Sequence, residues 1–190
     1  MISRRLLLTA ALSAVAIAWP GIKESLAQDA PSAGQILRKL SQQPRVELDE
    51  EDRVTRKTLK RRPDLRRIAP SIDIQAINFQ FGSATIPVGE RWKVEQIAIA
   101  MNQMMDRNGG EVFLIEGHTD AVGTRIANQR LSEARAQSLK RDLLRYFGVP
   151  GYNLDTVGYG EDYLLVPTPY ENWRNRRVTL RRITDVITPY

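Results

Sequence analysis

The chain has 190 residues, 42% hydrophobic and 26% charged, with a net charge of +6, no cysteine and a single histidine, His118. That size allows one domain with extensions or two small domains, and the composition is too apolar for wholesale disorder. Disulfides, thiolate or multi-histidine metal sites, cysteine nucleophiles and a lipid attached through an N-terminal cysteine are excluded, so the sequence predicts a binder with no metal and no cofactor.

Residues 1–27 read Met-Ile-Ser-Arg-Arg, an uncharged stretch from Leu6 to Trp19, and a polar end at Ser25-Leu26-Ala27. A basic start, an apolar middle and small residues before the break are the parts of a secretory signal peptide, with cleavage after Ala27. The apolar stretch would span ~21 Å as a helix, short of a ~30 Å hydrocarbon core, which argues against an anchor. Ser3-Arg4-Arg5 loosely resembles a twin-arginine start, but the apolar run that follows at once favours the general export route. The mature protein is expected to be exported and soluble.

Charge is segregated. Residues 28–70 carry 11 basic and 7 acidic side chains, whereas residues 71–190 are neutral overall. Glu47 to Asp52 holds five carboxylates in six residues, and Arg53 to Arg67 holds eight basic residues against Asp64 alone. Apolar residues are sparse here, so 28–70 is expected to be a charged linker, partly disordered or helical. Its basic part, residues 53–67, could touch an anionic membrane surface or an envelope protein. Export argues against nucleic acid as the partner.

From residue 71 the pattern becomes that of a folded domain. Ile72, Ile74 and Ala76, continuing to Phe79, alternate with period two and predict a strand over 72–79. Pro87 and Gly89 mark a turn. Val94, Ile97, Ala98, Met101, Met104 and Met105 recur at helical spacing and predict a helix over 90–108, ended by Gly109-Gly110. Val112 to Ile115 reads as a short strand buried on both faces. A second helix follows over 128–147, closed by Gly148 and Pro150. Thr156 to Tyr159 and Arg177 to Ile183 complete the strands, with a proline-rich loop, Leu164 to Asn172, between them. The order β-α-β-α-β-β predicts an α/β (α+β) two-layer sandwich, a mixed sheet with two helices on one face.

One residue breaks the pattern. The row Leu131, Arg135, Leu139, Leu143, Phe147 lies on one helix face, so Arg135 sits on the stripe that packs on the sheet. An unpaired buried charge is costly, so an anion should meet it. Asn128 lies near the same face, and the preceding loop carries Gly117-His118-Thr119-Asp120 within reach. Two arrangements fit: a closed Asp120–Arg135 ion pair fastening loop to helix, or an open pair that takes an ammonium on Asp120 and a carboxylate on Arg135.

The blocks Gly117-His118-Thr119-Asp120-x-x-Gly123, Asn128-x-x-Leu131-Ser132-x-x-Arg135-Ala136 and Asn175-Arg176-Arg177-Val178 are similar to the OmpA-like C-terminal domain family. The resemblance covers about residues 71–184. It implies non-covalent peptidoglycan binding through the meso-diaminopimelate stem peptide, by a periplasmic, cell-wall-associated module peripheral to the outer membrane. It also implies roles: Asp120 and Arg135 as the ligand pair, Asn128 hydrogen-bonding the same ligand, Thr119 and Leu131 lining the pocket, and Arg176, in preference to Arg177, holding a carboxylate. Phe79-Gln80-Phe81-Gly82-Ser83 departs from the family, which often has an acidic or small polar residue after Phe-x-Phe. The barrel, lipid anchor and membrane helix of known family members are not evident, which predicts a free module or one held by a partner.

Catalysis is not expected. His118, Asp120 and Ser132 lack a nucleophile turn, and His118 reads as a structural hydrogen-bonding residue at a strand end. The alternative to wall binding is a protein-interaction or oligomerisation module whose basic linker makes the main contact.

Overall fold

The structure, a computed structural model, describes residues 30–75, 77, 79 and 82–189. The signal-peptide reading of residues 1–27 falls outside them. Five α-helices and four strands appear among the described residues, besides short 3-10 turns. In chain order they are α1 (Ala33–Leu40), α2 (Arg56–Leu59), α3 (Pro63–Ile68), β1 (Ser71–Ile74), α4 (Arg91–Arg107), β2 (Phe113–His118), α5 (Arg125–Phe147), β3 (Leu154–Gly158) and β4 (Arg177–Arg182).

The sheet has the order β1-β4-β2-β3, with β2 and β3 parallel and β4 antiparallel to both β1 and β2. From residue 71 the β-α-β-α-β-β order of the sequence is the order of the fold. β1 is shorter than the expected 72–79 because its partner runs out. Ile74 pairs with Val178, one residue from the start of β4, and Ala76 and Asn78 lie outside the described residues. Ile77 and Phe79 nevertheless pack against the core.

Strand alternation divides the sheet into two faces. Phe113 and Ile115 of β2 join α4 and α5 in one cluster through Ile97, Met101, Leu139 and Leu143. Leu114 faces the other way, against Leu59, Ala69, Ile183 and Val186. α5 seats directly on the β2–β3 backbone at Gly117 and Gly158, which are register partners. A Cβ on Gly117 would lie 2.1 Å from the Ser132 carbonyl oxygen, and one on Gly158 2.4 Å from the Glu133 nitrogen. Only hydrogen fits at these two contacts.

Residues 30–70, expected to be a charged linker, partly disordered or helical, contain three short helices, and these pack on the domain. Ser32 caps α1 in a capping box with Gln35, and Ile36 and Leu40 are fully buried in the α4–α5 cluster. Leu59 is fully buried on the opposite face of the sheet, and Val54 bridges to Ile187. The basic strip is partly spent on ion pairs within the chain. Lys60 pairs with Asp155 at 2.7 Å and Arg62 with Asp64 at 2.7 Å. Arg66 is buried, 3.3 Å from Glu116, with its guanidinium over the Tyr159 and Tyr163 rings at 4.0 and 4.4 Å. α2 and α3 supply one or two apolar anchors each and show no stripe, whereas Ala33, Ile36, Leu37 and Leu40 of α1 share one face at helical spacing.

Candidate ligand-binding site

Three elements converge at one end of the sheet. β2 delivers Thr119 and Asp120 just past its end, the first half of α5 supplies Asn128, Leu131 and Arg135, and the approach to β4 supplies Arg176. Thr124 caps α5 by accepting a hydrogen bond from the Ala127 nitrogen, which fixes the start of that helix beside the β2 loop. The glycine seats at Gly117 and Gly158 hold Ser132 against the sheet. Ser132 donates to the Gln129 carbonyl at 2.9 Å and accepts from the Gly160 nitrogen at 2.8 Å, so this hydroxyl is a structural tie.

All six residues expected at the site line a single cleft of about 280 Å³: Thr119, Asp120, Asn128, Leu131, Arg135 and Arg176. Arg135 is 7% exposed and Asp120 8% exposed. Of the two arrangements open from the sequence, the closed Asp120–Arg135 ion pair is not formed. Among the described residues Arg135 has no carboxylate at ion-pair distance. Its Nε donates to the Ser83 carbonyl at 3.1 Å, and its guanidinium lies 4.9 Å from the Phe79 ring centroid. Burial, and then the like charge of Arg176, lower the pKa of Arg135, while the charge of Asp120 opposes them.

Asp120 takes its ion pair from elsewhere. Arg176 Nη1 donates to Asp120 Oδ2 at 2.8 Å and also to Glu171 Oε1 at 2.6 Å. Arg177 points into the fold, donating to Asp73, the Asn175 carbonyl and the Tyr163 carbonyl. The neighbouring arginines therefore divide, Arg176 to the cleft and Arg177 to the scaffold. Asn128 differs in part from the direct ligand contact expected of it. Its amide nitrogen donates to the Asp120 carbonyl at 3.3 Å and to Glu161 at 2.6 Å, so in this state it braces the loop.

His118 ends β2 and is buried, but neither ring nitrogen has a hydrogen-bond partner among the described residues, contrary to the hydrogen-bonding role expected. Its Nε2 stands 3.8 Å from Glu116 Oε2. Burial lowers its pKa, which keeps the imidazole neutral. Glu116 behaves oppositely. Burial works against its charge, but the guanidiniums of Arg181 and Arg66, 2.8 and 3.3 Å from its Oε1, prevail and hold its pKa at about 2. Sequence pattern does not single out Glu161 and Glu171 as site residues: both come from loops, and no periodicity marks a loop side chain that meets the site only through the fold. As site residues, Phe79 and Ser83 stand out in the sequence only as part of the segment that departs from the family.

The OmpA family model matches residues 78–177, which contain every residue of the cleft named above. The chain belongs to the OmpA family. That family is known for association with peptidoglycan. Among curated relatives, outer membrane porin F of Pseudomonas aeruginosa is 33% identical over 104 residues, which cover 54% of this chain and 29% of the porin. Outer membrane protein A of Klebsiella pneumoniae is 32% identical over 98 residues, 52% of this chain and 28% of that protein. The chain thus spans less than a third of either relative. Among solved structures, the periplasmic domain of Helicobacter pylori MotB shares the fold, with a TM-score of 0.50 at 18% identity, covering 60% of this chain and 75% of that one. The OmpA-family match places α4, β2, α5 and β3 in the shared domain, whereas α1 to α3 lie before it. None of these relatives bears the name of an enzyme. No described helix is long and apolar enough to cross a membrane.

Proposed function

We propose that the cleft binds peptidoglycan non-covalently through the diaminopimelate stem peptide, as a periplasmic, cell-wall-associated module. Asp120 accepts the ligand ammonium and Arg135 holds the adjacent carboxylate. Thr119 and Leu131 line the pocket, Asn128 braces Asp120, and Arg176 supplies a second guanidinium. The observation that carries this reading is the state of Arg135: a buried guanidinium facing a cleft, with a backbone carbonyl and a ring as partners but no carboxylate among the described residues. A buried cation in that state is costly, and a bidentate ligand carboxylate is the partner its geometry suits.

Membership of the OmpA family supports the same ligand class. Two or three charge-assisted hydrogen bonds of ~1.5–3 kcal/mol each, less the cost of association, give weak single-site affinity. A polymer with closely repeated sites compensates through rebinding. Calorimetric titration with an L-Ala-D-Glu-diaminopimelate tripeptide tests the reading. Wild type is expected to bind, and Asp120→Ala and Arg135→Ala to show no heat. Equal binding by all three proteins would remove the cleft from the account.

A further inference from the structure

Arg176 stands between two carboxylates in unlike settings. The Asp120 side chain is 11% exposed on the cleft floor, whereas the Glu171 side chain is 73% exposed at its rim. One guanidinium nitrogen, Nη1, donates to both, and all three residues line the cleft together with Arg135. Arg176 therefore covers the Asp120 oxygen that an incoming ammonium needs. The other Asp120 oxygen accepts from the Val122 nitrogen at 3.4 Å. Glu171 belongs to a loop held in shape from within. Asn175, fully buried, donates to the Val166 carbonyl and accepts from the Val166 nitrogen, and the Tyr170 nitrogen donates to Thr168 Oγ1.

We propose that Glu171 is a positioning residue that makes the cleft select amino-acid centres, which carry ammonium and carboxylate together, over simple amines. It does so by keeping Arg176 in the cleft once a ligand has displaced it from Asp120. The inference rests on the ammonium–carboxylate reading of the cleft given above.

An ammonium docking on Asp120 breaks the Asp120–Arg176 bond and leaves two guanidiniums, Arg135 and Arg176, facing the ligand. A ligand with a carboxylate beside its ammonium replaces both halves of the broken pair, so charge in the cleft stays balanced. A primary amine replaces one half only and adds an uncompensated positive charge in a partly buried site. With Glu171 as a second anchor, Arg176 remains at the rim, where a carboxylate on the ligand can meet it. Without that anchor the long side chain gains rotamer freedom in solvent, and ordering it onto the ligand costs more. Glu171 therefore acts on the carboxylate half of recognition and leaves the ammonium half alone.

A double-mutant cycle read by calorimetry tests this, using the purified protein and two tripeptides that differ only in diaminopimelate or lysine at the third position. Glu171→Gln is expected to weaken the diaminopimelate peptide about threefold, the scale of one exposed ion pair. It is expected to leave the lysine peptide and the melting temperature unchanged. Arg176→Ala is expected to weaken the diaminopimelate peptide about tenfold, and adding Glu171→Gln to it should change nothing further. Equal losses on both peptides, a loss that persists in the Arg176→Ala background, a lowered melting temperature, or no effect at all would each overturn the role of Glu171. If wild type binds neither peptide, the stem-peptide reading falls and this inference with it. If binding needs Asp120 and Arg135 but ignores Glu171, only this inference fails.

Discussion

Arg135 carries the tension between stability and binding. Its charge is buried, opposed by Arg176 and met by a backbone carbonyl and a ring. A side chain retained for fold stability would sit in a closed ion pair, and its removal would cost about 3–5 kcal/mol by stranding the partner. In the open arrangement no carboxylate is stranded. We therefore predict that Arg135→Met abolishes ligand binding while the melting temperature stays level or rises, because an unbranched apolar side chain continues the same stripe without a desolvated charge. A melting temperature lowered by ten degrees or more would return Arg135 to a structural role. The i+4 row placed Arg135 on the buried face without any structure, since helical spacing is fixed by backbone geometry. The identity of its partners was not readable there. Ser83 and Phe79 come from the irregular segment before α4, and Asp120's ion-pair partner from a loop far along the chain.

At the scale of elements, the approach of α5 to the sheet sets the site. Gly117 and Gly158 leave room for the Ser132–Glu133 backbone to rest on β2 and β3, one helical turn from Asn128 and Arg135 on either side. A methyl group on Gly117 would meet the Ser132 carbonyl oxygen at 2.1 Å, so the helix must lift. Gly117→Ala should cost about 2–3 kcal/mol in denaturant unfolding and weaken ligand binding as well. Unchanged stability would mean that α5 is not seated as described. The helices and strands from residue 71 were legible because each long element repeats its apolar period several times. β1 was misjudged in length because strand ends depend on where the partner strand begins, and β4 begins at Arg177.

For the whole molecule, the segment before the shared domain matters most. Residues 30–70 cover both faces of the sheet, Ile36 and Leu40 on one and Leu59 on the other. A fragment beginning at residue 71 should melt well below the longer chain or aggregate, because it exposes Ala69's neighbours Val112, Leu114 and Ile183 to water. Equal melting temperatures would mean that residues 30–70 behave as a charged linker and add nothing to the core. In this layer only α1 carries a readable stripe, Ala33, Ile36, Leu37 and Leu40 at helical spacing; α2 and α3 are too short for one, so their single anchors are hidden among charges.

The Arg66–Glu116–Arg181 cluster joins that layer to β2. Glu116 has a folded-state pKa of about 2 against an ordinary 4.5, so it favours folding fully above pH 4.5. That contribution, about 3 kcal/mol by linkage, is lost as pH falls from 4.5 towards 2. His118, whose pKa burial lowers from 6.5, adds an earlier loss with the same sign below about pH 6.5. Urea unfolding of wild type should therefore show stability falling as the solution is acidified, with Glu116→Gln flattening the limb below pH 4.5. An unchanged limb in that variant would contradict the charged state assigned to Glu116.

The most direct measurement is co-sedimentation of the purified protein with diaminopimelate-type peptidoglycan sacculi at low and high salt. Wild type, Asp120→Ala and Arg135→Ala are run side by side. Contacts made by an exposed basic strip are screened at high ionic strength, whereas a partly buried pair is screened much less. The cleft account predicts pelleting of wild type that persists in salt and is lost in both variants. Pelleting that salt abolishes and neither substitution affects would contradict it, and would assign wall contact to the exposed cations of residues 53–67.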